Sequence, residues 1–259
     1  MLEWIPRGLR QGRVTTRYPQ REEIAPAGYR GRIDVLDGIN AAPELAQLCP
    51  TGAITVDDQR RLVLDRGRCI LCGACVQAAP DRFAFESRYQ TAARSRNALV
   101  VCGHDEDAPE PTRRALGEQA RALRRSIHVR HIDCGSDGSE EWEIQALWNP
   151  YYDIQRLGYF LTAAPRHADV LLVTGPVTAA MREPLQRTWE VMPEPKALVA
   201  VGTDACSGGL HAAGELTAGG VEEVLAVDVY VPGSPPAPIA IMHGLLLATG
   251  LLRPGETAA

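Results

Sequence analysis

The chain has 259 residues, 45% of them apolar, and a formal net charge of −5; this is enough for two modest cores and the wrong sign for a nucleic-acid surface. No uninterrupted run of about 18 apolar residues occurs, and no signal-peptide pattern opens the chain, which predicts a cytoplasmic protein that does not span a membrane. Its seven cysteines are an odd number, as expected for a reducing compartment and metal ligation rather than a disulfide framework.

Residues 1–30 mix Leu2, Trp4, Ile5 and Leu9 with Arg7, Arg10, Arg13 and Arg17. This amphipathic arm suits a membrane surface, a partner, or packing on its own domain. From 31 to 95 short segments are broken by Pro and Gly, with strands expected at Ala53–Val56 and Arg61–Leu64 around an Asp57-Asp58 turn. So little apolar surface lies here that the fold needs a metal centre. Residues 96–125 read as a linker and a helix: the apolar stretch Ala98–Cys102, the acidic, proline-bearing run His104–Pro111, then a helix from Thr112 to about Arg125. From 126 to 259 strand-like runs at Ile127–Ile132, Val170–Thr174, Leu198–Val201 and Leu225–Val231 alternate with helical patterns near Glu140–Leu147, Thr178–Val191 and Pro238–Leu252. Such alternation predicts a parallel, flavodoxin-like sheet covered on both faces. The expected fold class is therefore an α+β ferredoxin-like domain followed by an α/β domain. The last helix is apolar all round, which predicts burial between layers or against another subunit.

The sharpest motif is Cys69-Ile-Leu-Cys72-Gly-Ala-Cys75. Three thiolates on one tight loop can wrap a corner of an iron–sulfur cube, and a Cys-Pro elsewhere supplies the fourth ligand. Cys49-Pro50 fits that role. The competing reading is a four-cysteine zinc site, but zinc ligands come as two separated pairs rather than three and one. No dinucleotide fingerprint or phosphate loop occurs.

Residues 31–85 resemble a two-cluster ferredoxin of the kind found in formate hydrogenlyase and respiratory complex I, including the Cys-Pro-Thr-Gly-Ala-Ile signature at 49–54. On that resemblance, three cysteines of the family's other cube fall on Ile39, Ala42 and Leu45, and the fourth on Ala79. One cube has lost its ligands as a set, and the other keeps Cys49, Cys69, Cys72 and Cys75. The resemblance implies one 4Fe–4S cluster.

From about Ala122 to Leu252 the chain resembles the small subunit of membrane-bound nickel–iron hydrogenases of the energy-converting, formate hydrogenlyase type and its complex I relative. The matching segments are Ser126-Ile-His-Val-Arg-His-Ile-Asp-Cys134-Gly-Ser136, Arg166–Val177, Met192–Lys196 and Val229–Pro236. The family's proximal-cluster cysteines fall here on Asp137, Glu140, Asp204 and Ser234. Oxygen ligands do not replace thiolates on a cube, so no proximal cluster is expected. Cys134 and Cys206 are offset from the ligand positions. The carboxylates of Asp137, Glu140 and Asp204 are expected to converge on the vacated cavity, as solvated filling, a hard-cation site or a proton relay. Tyr151, Tyr152, Asp153, Arg166 and His167 fall where the family faces its catalytic partner.

The resemblance implies a peripheral iron–sulfur subunit on the cytoplasmic face of the cell membrane. It would associate with a hydrogenase-large-subunit-like protein and the membrane subunits of an ion-translocating complex, with an electron-transfer or assembly role. Catalysis by the chain alone is not expected, and a complex that no longer turns over hydrogen is. The alternatives are a non-redox coupling module or a metal-dependent activity in the vacated cavity.

Overall fold

A computed structural model describes residues 4–39, 41–102, 126–211 and 213–252. The expected linker run His104–Pro111 and the helix from Thr112 lie outside the described residues.

The chain opens with helix α1 (Trp4–Gln11), whose side chains are all exposed. The rest of the arm packs on the second domain: the Thr16 amide donates to Tyr151 O at 2.8 Å, Arg156 donates to Tyr18 O, and Tyr151 Oη donates to Glu23 Oε1 at 2.6 Å. The Tyr18 ring is buried in the core of the second domain.

The first domain holds two small antiparallel sheets. Strand β1 (Arg32–Val35) pairs with β4 (Phe83–Glu86); β2 (Ile54–Val56) pairs with β3 (Leu62–Asp65), and β3 with β5 (Val100–Cys102). The one-turn helix α2 (Ala74–Ala78) lies between β3 and β4. Alternation along β3, with Leu62 and Leu64 inward, builds a core with Ile33, Ile54, Phe83 and Val101. The apolar stretch read as the start of the linker thus contains the third strand of a sheet: Val101 fills the core while Val100 faces solvent.

The second domain carries a five-stranded parallel sheet in the order β10-β9-β8-β6-β7, made of β6 (Ile127–Asp133), β7 (Tyr159–Leu161), β8 (Val170–Thr174), β9 (Ala197–Val201) and β10 (Val229–Val231). Numbered within the domain, the order is 2-1-3-4-5, the flavodoxin-like arrangement, with its switch point between β6 and β8. Every residue of β8 and β9 is buried, as continuous Val/Leu/Ala runs in a doubly covered parallel sheet require. Helices α3 (Ser139–Ala146) and α6 (Pro238–Ala248) belong to the core on one face; α4 (Ala179–Val191) and α5 (Thr203–Ser207) belong to the core on the other. The apolar α6 is buried within its own domain, and Gly244 lets it lie against β10, where a Cβ would sit 2.3 Å from Val231 Cγ2.

One strand expectation needs correction. The run expected from Leu225 becomes a strand only at Val229, because Leu225 and Val227 pack into the core from a loop and Asp228 turns its carboxylate to the Leu198 amide at 2.9 Å. The edge strand β7 has three residues and no periodicity that sequence could register.

Candidate functional site

Four cysteines from two separate segments line one recess of about 320 Å³, open on one side, together with Ile33, Leu48, Ala53, Ile54, Leu64, Ile70 and Gly73. Cys49 ends a 3-10 turn, Pro43–Leu48; Cys69 and Cys72 lie on the loop after β3, and Cys75 is buried in α2. The loop needs unusual backbone: Leu71 has φ 56° and Gly73 φ 81°. A side chain on Gly73 would meet the Phe85 ring at 2.9 Å.

Backbone amides point at the sulfurs. Ala53 N donates to Cys49 Sγ at 3.2 Å, and Thr51 Oγ1 lies 3.3 Å from the same sulfur. Burial pushes the Cys69 thiol up to about 12, opposed by the Leu71 amide and reinforced by the neighbouring Cys75, Cys49 and Cys72. Burial also raises Cys75, opposed by the Val76 amide. Thiols gathered this closely, two of them raised by burial, ionise together only when a cationic centre compensates them. The donor set is soft, all sulfur and surrounded by apolar residues, as an iron–sulfur cube requires. Among the described residues, no three or more His, Cys, Asp or Glu side chains are gathered so as to hold a single metal ion.

Two contacts that sequence did not reveal hold the loop. Arg30 reaches the carbonyls of Leu71 and Cys72 at 3.4 and 3.5 Å and covers the Phe85 ring. Thr203, 1% exposed at the start of α5, donates its hydroxyl to Cys69 O at 3.0 Å and lies 3.1 Å from Gly233 O. Thr203 directly precedes Asp204, so the cysteine loop docks beside the sulfur-poor loops of the second domain.

Those loops follow β6, β9 and β10 at their carboxyl ends, the crevice where open α/β sheets place their sites. Asp137, Glu140, Asp204 and Ser234 all lie there, and the charge of Asp137 adds to burial in raising both Glu140 and Asp204. Asp137 is exposed and accepts the Ser139 amide and hydroxyl at 2.9 and 2.6 Å, which hold its carboxyl below the usual range. Glu140 is buried, and the hydroxyls of Ser136 and Ser139 each lie 3.1 Å from it, sharing their protons with closer carboxylates. Burial raises its pKa. Asp204 lies 3.8 Å from His211, and burial raises its carboxyl. Ser234 is exposed. Beneath them, Ser136 and Thr174 both donate to Glu141, and His131 Nε2 lies 3.4 Å from Glu141 Oε1. Burial lowers the His131 pKa against the pull of Glu141. Cys134 and Cys206 are buried in the sheet core and pack as small apolar side chains.

Residues 137–248 match the family described as the 20 kDa subunit of NADH ubiquinone oxidoreductase, and residues 62–114 match the 4Fe-4S single cluster domain. The latter segment includes Cys69, Cys72 and Cys75 but begins after Cys49; it also includes Cys102, which does not line the recess. The chain is 42% identical over 133 residues to formate hydrogenlyase subunit 7 of Escherichia coli, a match that covers 51% of this chain and 52% of that protein. It thus spans about half the length of that relative. It is 39% identical over 133 residues to the probable membrane-bound hydrogenase subunit mbhJ of Pyrococcus furiosus, covering 51% of this chain and 80% of that protein. A chain of the archaeal membrane-bound sulfane sulfur reductase, a respiratory membrane complex, superposes with a TM-score of 0.46 at 27% identity, covering 54% of this chain and 77% of that one.

Proposed function

The chain belongs to the family of the NADH ubiquinone oxidoreductase 20 kDa subunit, and we propose that it is an electron-carrying iron–sulfur subunit of a membrane-bound complex related to hydrogenases and complex I. In this reading Cys49, Cys69, Cys72 and Cys75 hold a single 4Fe–4S cluster. The observation that carries it is that these four thiols, 20 residues apart in two segments, line one apolar recess. When bound, such a cluster takes up and releases one electron, at a potential set by hydrogen bonds to its sulfurs and by solvent exposure.

The chain's own residues do the tuning. The amides of Ala53, Leu71 and Val76 donate toward the sulfurs of Cys49, Cys69 and Cys75, stabilising their thiolate forms. Cys72 is exposed and gives the recess its open side, where an electron would enter or leave. Thr203 fixes the inner side of the loop against the second domain.

The second domain holds no cube of its own in this proposal. Support comes from its donor set: Asp137, Glu140 and Asp204 offer hard oxygens, and Cys134 and Cys206 face the core. The domain then acts as the docking body for a hydrogenase-large-subunit-like partner and the membrane subunits, at the cytoplasmic face. Among the described residues no helix is long and apolar enough to cross a membrane.

Iron and acid-labile sulfide are to be counted on the anaerobically purified chain, followed by a redox titration read by electron paramagnetic resonance. About four iron and four sulfide per chain, with one reversible signal, are expected. About eight iron, or zinc in place of iron, would overturn the proposal, and a cluster that resists reduction would make it a fold staple instead.

A further inference from the structure

We infer that α1 is a lipid-contact helix, which binds the chain directly to an anionic phospholipid surface. On a helical wheel, Trp4, Gly8, Ile5, Leu9 and Pro6 occupy one continuous sector of α1, and Arg10, Arg7 and Gln11 occupy the other. Among the described residues the apolar sector covers nothing: Trp4 is 70% exposed and Leu9 81%. Isolated exposed apolar side chains are ordinary, but a complete amphipathic face left bare is not.

Charge selects the occupant. The chain is acidic overall, with a net charge of −5, yet residues 4–21 contain five arginines and no acidic residue. A patch that reverses the sign of its own molecule is complementary to an anionic surface, and arginines bordering an apolar sector with a tryptophan at its end are the composition of a helix lying in a bilayer interface. The helix is also held in place. It ends at Gly12, whose φ of 65° and amide bond to Gly8 O at 3.0 Å close the last turn. Four residues later the buried Thr16, and then Tyr18, fix the strand to the second domain. Two turns of helix on a short tether form a foot that lies flat.

The inference does not depend on cluster content, so it stands or falls separately from the proposed function. The test is co-sedimentation of the full chain with vesicles of phosphatidylcholine alone or mixed with phosphatidylglycerol. Binding is expected only to the anionic vesicles, weakening as salt is raised. Leu9→Glu should abolish it, and Arg7→Gln with Arg10→Gln should weaken it roughly 25-fold, at about fivefold per arginine. These positions are exposed, so near-ultraviolet circular dichroism should be unchanged. Equal binding to neutral vesicles, or variants that bind like the parent, would overturn the inference. No binding to anionic vesicles would overturn it too and give the face to a protein surface.

Discussion

Replacing Thr203 by valine tests whether the cysteine loop is held by the second domain. Valine keeps the shape of a side chain that is 1% exposed and removes one hydroxyl. That hydroxyl donates to Cys69 O at 3.0 Å and receives the Gly233 amide at 3.4 Å. Gly233 O keeps the Thr203 amide at 2.8 Å, so the groups left unpaired are the Cys69 carbonyl and the Gly233 amide. An orphaned buried polar group costs about 1–3 kcal/mol; with the longer amide contact counted near the bottom of that range, the loss is about 2 kcal/mol or more. Local opening should then rise roughly 30-fold. Hydrogen exchange followed by mass spectrometry reads this at the amides of Thr203, Cys206, Gly208 and Gly233 in the anaerobic protein. Thr203→Ser keeps the hydroxyl and loses only a methyl group, about 1 kcal/mol or roughly fivefold. If valine accelerates exchange no more than serine does, the hydroxyl does not hold the two domains together and the reasoning fails.

Cys49→Ala should lose most of the iron or leave an incomplete, oxygen-sensitive cluster, whereas Cys102→Ala should retain the full complement, because Cys102 sits on β5 away from the recess; iron analysis of the two variants decides which cysteine is the fourth ligand. Burial holds the Glu140 carboxyl above its ordinary value of 4.5, so its ionisation disfavours the folded state increasingly as pH rises through the raised value. Glu140→Gln should therefore melt like the parent near pH 4 and above it at pH 7. A variant that loses stability on going to pH 7 would reverse the sign and refute the argument.

The strongest features of the sequence were chemical rather than periodic. Three cysteines at two-residue spacing and a distant Cys-Pro single out four thiols, and all four line one recess. The buried runs of β8 and β9 are equally legible, since four or five consecutive apolar residues between turns have little other use. What escaped depends on partners far away in the chain. Thr203 and Cys69 are 134 residues apart, and no local pattern marks a threonine hydroxyl as a bridge between domains. The resemblance puts Glu140 at a vacated ligand position, but the motif does not tell how its carboxylate is shared with Ser136 and Ser139, whose hydroxyls lie 3.1 Å from it and closer to Glu141 and Asp137. The strand β5 was read as linker because its three residues gain meaning only opposite β3.

Tyr18 has a consequence for the order in which this molecule is made. Its backbone carbonyl is gripped by Arg156, 138 residues later, and its ring belongs to a core that includes Leu252. A ribosome therefore releases the arm long before the surface that receives it exists, and the first domain can assemble while the segment ahead of it is still hanging free. Only when the second domain has been made does the arm settle, closing a clasp between residues near 18 and residues near 156. Cutting the protein between its domains would break that clasp, leaving one half with a bare tyrosine and the other with an empty socket.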